Sequence, residues 1–325
     1  MNILLWHVHG SWTTSFVHGK HSYLVPVTAD RGPYGRGRAR TYPWPDSVVE
    51  VTPAELATAE VDLVILQRPE ELDLANEWLG RRVGHDLPAI FVEHNTPKQG
   101  DVPNSRHPMA DRSDLVIAHV THFNALFWDS GTTRSTVVEH GIVDPDVTYT
   151  GELDRLAVVI NEPVRRWRVT GTDLLSRFAE IAPLDVFGMG VTGLADRLGL
   201  PTDRMATYDD LPQARMQAEL GRRRAYLHLC RWTSLGLSLI EAIAIGMPVI
   251  VLATTEAVEA VPPEAGALST RIDTLLETAQ RLVDEPATAR RMGIRAREAA
   301  RTRYGLDRFL ADWDRLLEEE LCASR

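Results

Sequence analysis

Ala225-Tyr-Leu-His-Leu-Cys-Arg-Trp-Thr-Ser-Leu-Gly-Leu-Ser-Leu-Ile-Glu241-Ala-Ile-Ala-Ile-Gly246-Met-Pro248-Val-Ile250 is the stretch whose reading decides the fold. It opens on an apolar run of strand length and passes through a small polar turn. An apolar segment long enough for a helix follows, Gly246 and Pro248 stop it, and a second strand run starts at Val249. Strand, turn, helix, turn, strand is a crossover unit of a parallel sheet, since parallel neighbours cannot be joined by a tight hairpin. The turn carries the chemistry. Ser234, Gly236, Leu237 and Ser238 are small or uncharged, so the amides of the first helical turn stay open, and the helix dipole there favours a diphosphate. Glu241 lies one turn further in, where a carboxylate can accept hydrogen bonds from ribose hydroxyls.

The same alternation runs outward in both directions. Before the middle of the chain, short apolar runs at 2–8, 23–27, 62–67, 89–94, 114–120 and 136–140 read as strands, most of them ending in polar residues. An open parallel sheet places its ligand crevice outside those carboxyl ends. The pattern restarts after Gly151, with strands expected at 156–160, 185–188, 225–229 and 249–253. Helices are expected at 171–182, with Thr170 or Thr172 as its N-cap, and at 211–222. From Ile272 on the chain reads as helix, and Phe309, Trp313, Leu316 and Leu317 form a buried stripe in the last one. The segment 143–155, with Pro145, Gly151 and four acids, reads as the linker.

A chain of 325 residues is too long for one ordinary core and suits two α/β domains facing across a cleft. A formal charge of -10 argues against nucleic acid as a partner, because phosphate-backbone affinity needs a basic face. Lysine occurs only at Lys20 and Lys98, so phosphate contacts in the second half fall to arginine or backbone amides. Two cysteines, Cys230 and Cys322, do not make a disulfide framework and suit a reducing interior. The first residues lack a signal-peptide pattern and no apolar run has spanning length, so a cytoplasmic protein is expected. Composition leaves peripheral membrane contact open.

The segment from Gly236 through Glu241-Ala and Gly246-Met-Pro248-Val-Ile250 resembles the donor-binding core of GT-B glycosyltransferases, in the retaining group called glycosyl transferases group 1. Val137-Val-Glu-His-Gly-Ile-Val-Asp144 resembles that family's turn before the linker, and 272–304 resembles its C-terminal helices. The resemblance implies an α/β, GT-B chain of two Rossmann-like domains. Residues 1–150 would bind the acceptor and 151–304 the nucleotide sugar, with 305–325 returning to the first domain. It implies transfer of a sugar from a UDP- or GDP-type donor to a hydroxyl acceptor, with retention, without metal and without a further cofactor.

Site residues follow from the same resemblance. Glu241 would hold ribose, and Arg165, Arg166 and Arg168 would hold the diphosphate together with the turn amides. Gly10 matches the glycine-bearing turn near the phosphates, and His94, ending Phe91-Val-Glu-His94, matches a catalytic histidine. Two departures stand out. Thr233 occupies the place of a second glutamate that contacts the donor sugar, and the lysine that follows the arginine is missing. These departures motivate the rival reading, a catalytically silent sugar-nucleotide-binding protein; another GT-B reaction such as sugar-nucleotide epimerisation is a third.

Other chemistries fare worse. The pairs His7 with His9, His18 with His21 and His119 with His122 lack the accompanying ligands of a closed zinc site. Arg36, Arg38 and Arg40 alternate with aromatics, but Pro33, Pro43 and Pro45 make that region a long surface loop, facing the cleft or an anionic acceptor. No Gly-x-Ser-x-Gly elbow supports a hydrolase.

Overall fold

The computed structural model describes residues 1–98 and 100–323. The chain divides into two compact units, Met1–Val143 together with the segment from Leu306 on, and Asp144–Gly305.

The first unit is built on seven parallel strands: β1 (Asn2–Leu5), β2 (Ser22–Pro26), β3 (Val48–Val51), β4 (Leu63–Leu66), β5 (Ala89–Glu93), β6 (Val116–His119) and β7 (Ser135–Val137). Their order is β3-β2-β1-β4-β5-β6-β7. Central strands are apolar throughout because both faces are covered, and every residue of Leu63–Leu66 is buried. The order reverses between β1 and β4, which makes their carboxyl ends a topological switch point. The last helix, Leu306–Ala323, belongs to this unit and buries Phe309, Trp313, Leu316 and Leu317. Trp313 meets Trp12 and Phe16 edge-on, with ring centroids 5.6 and 5.1 Å apart. Gly141 admits Phe309 at a distance where a Cβ would clash, 2.2 Å.

The second unit holds six parallel strands: β8 (Leu153–Val159), β9 (Leu184–Gly188), β10 (Met205–Asp209), β11 (Arg223–His228), β12 (Val249–Leu252) and β13 (Gly266–Ser269). Their order is β10-β9-β8-β11-β12-β13, so the switch point lies between β8 and β11. The helix Leu237–Ile245 joins β11 to β12 and is buried from Leu239 to Ile245. It ends on Gly246, whose φ of 93° is the left-handed cap that glycine adopts without steric cost.

Several expectations need correction. β8 starts at Leu153, inside the expected linker. The strands β3, β10 and β13 were not anticipated; each lies at the edge of its sheet, where one side has no neighbour and a short, partly polar sequence suffices. The expected helix at 171–182 divides into a 3-10 turn, Thr172–Leu174, and a helix, Leu175–Ile181, and no threonine caps either. Thr172 Oγ1 instead donates to the Pro163 carbonyl at 3.0 Å and sits 2.8 Å from Thr170 Oγ1. The arginine-rich loop is also more than surface: the Arg38 guanidinium donates to the carbonyls of Trp44 and Pro45, pinning the loop to its own unit.

Candidate active site

The loops that leave β8 and β11 flank the switch point of the second sheet, and they carry most of the expected site residues. After β8 the chain enters a short helical turn, Pro163–Arg166, then a tight reversal through Trp167. After β11 it passes Cys230 and Arg231 to Gly236, the N-cap of the helix Leu237–Ile245. The two loops are tied together. The Arg231 amide donates to the Val169 carbonyl at 2.8 Å, and its Nη1 to the Arg168 carbonyl at 2.7 Å. The Asp173 carboxylate accepts from Arg231 at 2.6 and 2.9 Å and from Arg168 at 3.1 Å. These bonds hold the Asp173 carboxyl below its ordinary range despite burial, which acts the other way.

Gly171 makes this closeness achievable. Its φ is 73°, and a Cβ there would stand 2.1 Å from the Leu229 carbonyl oxygen. Gly188, at the end of β9, repeats the device with a φ of 131° and a Cβ position 2.1 Å from the Ile160 carbonyl. The neighbouring Met189 amide then reaches Asn161 Oδ1 at 2.9 Å.

The three expected phosphate arginines differ. Arg165 is 72% exposed and its side chain meets a loose carboxylate, Glu162 at 3.7 Å. Arg166 is half-buried and opposes the upward shift of the Cys230 thiol, which burial nevertheless pushes up to about 11. Cys230 is therefore a packed thiol and no nucleophile at neutral pH. Arg168 is anchored by Asp173. Arg231 and Asp173 were not singled out from the sequence; an arginine in the loop three residues past the end of β11 was the available signal.

At the helix start, Gly236 has extended backbone angles and no side chain caps the end among the described residues. A Cβ on Gly236 would lie 2.6 Å from the His228 ring, so the turn closes over that imidazole. Burial keeps His228 neutral, with its pKa lowered to about 4. Ser234 is buried, while Thr233, Leu237 and Ser238 are half-exposed. The Ser238 hydroxyl already accepts from Tyr226 at 2.9 Å, so it supports the turn from beneath. Glu241 is 3% exposed and accepts from Gln213 Nε2 at 2.8 Å. Following β12, Glu256 is the buried carboxylate and Glu259 the exposed one.

In the first unit, His94 follows β5 and is buried. Its ring lies 4.0 Å from that of His9 and edge-on to Trp12 at 4.9 Å. Burial, then the neighbouring His9 and His140, hold its pKa well below the ordinary value, and its Nε2 has no hydrogen-bond partner among the described residues. His9 and His140 are likewise depressed by burial, to about 4 and about 3. Three neutral imidazoles thus gather at one end of the sheet. Gly10 starts the helix Gly10–Phe16, and the Tyr42 ring fills the space a Cβ would need, 2.6 Å away.

Residues 200–299 match the family model described as Glycosyl transferases group 1. Among solved structures, the chain resembles a sucrose-phosphate synthase from Thermosynechococcus elongatus with a TM-score of 0.77 over 100% of both chains, at 14% identity. It resembles Anabaena HepE in complex with UDP-glucose at a TM-score of 0.68 and 14% identity, over 98% of this chain and 100% of that one. For WaaG, a glycosyltransferase involved in lipopolysaccharide biosynthesis, the TM-score is 0.66 at 14% identity, over 96% and 99%. These likenesses establish the GT-B fold. No curated protein matches the sequence.

Proposed function

We propose that this chain, a group 1 glycosyltransferase by its matched segment and a GT-B protein by its fold, moves a sugar from a nucleoside diphosphate donor to a hydroxyl acceptor without a metal and with retention. The observation that carries the reading is the second unit's switch point. There three arginines lie on the loop after β8, which is bonded to the loop after β11; the latter leads into a helix N-terminus that no side chain caps among the described residues, with the buried Glu241 one turn further in. Glu241 takes the ribose hydroxyls, and Arg165, Arg166 and Arg168 with the turn amides take the diphosphate. Thr233 offers a hydroxyl to the donor sugar, and Gly10 contributes a turn near the phosphates. HepE, of the same fold, is described with UDP-glucose, which favours a uridine donor as the first to test.

In the transfer, the acceptor oxygen bonds to the anomeric carbon as the bond from that carbon to the diphosphate oxygen breaks. The electron pair leaves with the diphosphate, and the hydroxyl proton passes to that leaving group or to water. His94 stays unprotonated at neutral pH, so it can accept a hydrogen bond from a substrate hydroxyl and orient it. The first unit binds the acceptor in this reading.

The rival is a silent binder, motivated by Thr233 and the missing lysine. A thermal-shift screen of UDP- and GDP-sugars identifies the donor, because a ligand of the folded state raises stability by mass action. Product analysis then decides. Release of nucleoside diphosphate with a new glycoside of unchanged anomeric configuration supports transfer with retention. Tight nucleotide binding with neither transfer nor hydrolysis for any sugar nucleotide refutes it and leaves the silent binder.

A further inference from the structure

The first unit contains a cavity of about 510 Å³ at the carboxyl ends of β4 and β5, lined by Gln67, Arg68, Phe91, Glu93, Lys98 and Arg106 among others. We propose that it is the acceptor subsite, and that its ligand is an anionic polyol, a hydroxylated molecule carrying a phosphate or a carboxylate. The assignment rests on the reading above that this unit receives the acceptor.

Charge is the first argument. Three cations line the cavity against one carboxylate. That carboxylate is committed to the floor: Glu93 Oε1 accepts the Asn95 amide at 2.6 Å, and Oε2 pairs with His107 Nε2 at 2.9 Å. His107 Nδ1 accepts the Met109 amide at 3.0 Å, so the ring hydrogen sits on Nε2 and donates to Glu93. The counter-ions of the arginines are not part of the lining. Glu71, fully buried, holds Arg68 Nε at 2.7 Å from behind, and Asp111 and Asp129 hold Arg106. The lining itself therefore presents three cationic groups and one carboxylate, with the carboxylates that pair the arginines set outside it. The same field reaches His9, whose pKa is lowered first by burial and then by Lys98 and Arg68.

Unmet hydrogen-bonding capacity is the second. Arg68 Nη2 and Gln67 Oε1 are buried and have no partner among the described residues. Both residues follow β4, and each is held in place: Gln67 Nε2 donates to the Trp6 carbonyl at 2.7 Å, and the Arg68 guanidinium lies 4.1 Å over the Tyr34 ring. A spare cationic donor and a spare neutral acceptor on consecutive residues of the lining match a ligand that carries both an anionic oxygen and a hydroxyl. Phe91 and Trp128 supply apolar wall for the carbon face of such a molecule, and Trp128 is held in place by donating its Nε1 hydrogen to the Asn95 carbonyl at 2.7 Å. The position is also the one that this topology favours. Gln67 and Arg68 follow β4, one of the two strands at the switch point of the first sheet.

Titration calorimetry of the full chain with glucose 6-phosphate, glucuronate and glucose tests the class, alongside sedimentation with vesicles of phosphatidylinositol or of phosphatidylcholine. The anionic member of each set is expected to bind at least tenfold more tightly than its neutral counterpart. The double variant Lys98→Gln with Arg106→Gln should erase most of that preference while leaving UDP affinity unchanged. Binding of the soluble anions identifies a free metabolite, and binding of the phosphatidylinositol vesicles alone identifies a lipid headgroup; both support the proposal. Equal affinity for charged and neutral probes overturns it, as does a preference that survives the double variant. Should that variant fail to fold, Lys98→Glu alone must reduce the preference. If UDP and every sugar nucleotide fail to bind while the anion preference persists, the glycosyltransfer reading falls and the anion subsite stands.

Discussion

Replacing Glu241 isolates the nucleotide contact from the rest of the second unit. The side chain is 3% exposed, and one oxygen is occupied by Gln213 Nε2 at 2.8 Å. A hydrogen bond to a charged acceptor contributes about 1.5 to 3 kcal/mol, so Glu241→Ala should weaken UDP or GDP binding by roughly 10- to 150-fold. The same change removes the partner of the half-exposed Gln213 amide and should lower stability separately by about 1 kcal/mol, the net contribution of one hydrogen bond. Glu241→Gln distinguishes the two effects, because it keeps an acceptor for Gln213 and removes the charge. Its affinity should fall by about tenfold with a smaller change in melting temperature. Calorimetry on both variants, with melting curves recorded without ligand, reads the two quantities independently. Nucleotide affinity within twofold of the parent in both variants would refute the ribose role, whatever happens to stability.

Four further outcomes follow from the geometry. Truncating Arg165, Arg166 and Arg168 together to alanine should weaken diphosphate binding at least tenfold at low salt; unchanged binding would mean that the loop serves another end. His94→Ala should reduce turnover more than nucleotide affinity, and equal turnover would reduce it to a packing residue. Trp313→Ala removes a ring packed against Trp12 and Phe16 and should cost about 3 to 5 kcal/mol in denaturant titration; a loss below 1 kcal/mol would contradict that docking. Acid should destabilise the first unit early. Unfolded imidazoles titrate near pH 6.5, whereas folded His9 and His140 wait until about 4 and about 3, and His94 is also held low. Stability is complete above about pH 6.5 and falls as the pH drops, by up to roughly 1.4 kcal/mol per pH unit for each histidine, and a flat profile between pH 7 and 5 would refute it.

What the sequence made legible follows from burial. The central strands, such as Leu63–Leu66 and Val249–Leu252, are covered on both faces and so read as uninterrupted apolar runs. The edge strands β3, β10 and β13 hide inside mixed sequences, because a strand with one free side needs less apolar surface to hold it. Among the candidate site residues, the placement of Gly236 and Glu241 at a helix start was legible because a helix start after a strand is written locally. Arg231, Asp173 and Gln213 were not, since their importance comes from contacts between loops that are distant in the chain. Cavity lining is less legible still: Gln67 and Arg106 come to line one cavity only after β4 and β5 are paired.

Thr233 and the missing lysine are best understood together under the proposed function. In the resembling family one would bring a negative charge to the donor sugar and the other a positive charge to the phosphates, so losing both leaves the net charge of the loops unchanged. Losing the lysine alone would strip the diphosphate of a counter-charge, and losing the glutamate alone would raise the positive potential around the sugar. In the proposed site Arg231 would add a cation to those of Arg165, Arg166 and Arg168; it lies in the loop after β11, fixed by the same Asp173 that anchors Arg168. A guanidinium tied in this way is held in one orientation, which limits the entropy lost when a diphosphate arrives. The paired departure therefore fits a donor site rebuilt around arginine better than one decaying. Under the same proposal the departure from the resembling family lies at the sugar end, where Thr233 would offer a neutral hydroxyl in place of a carboxylate.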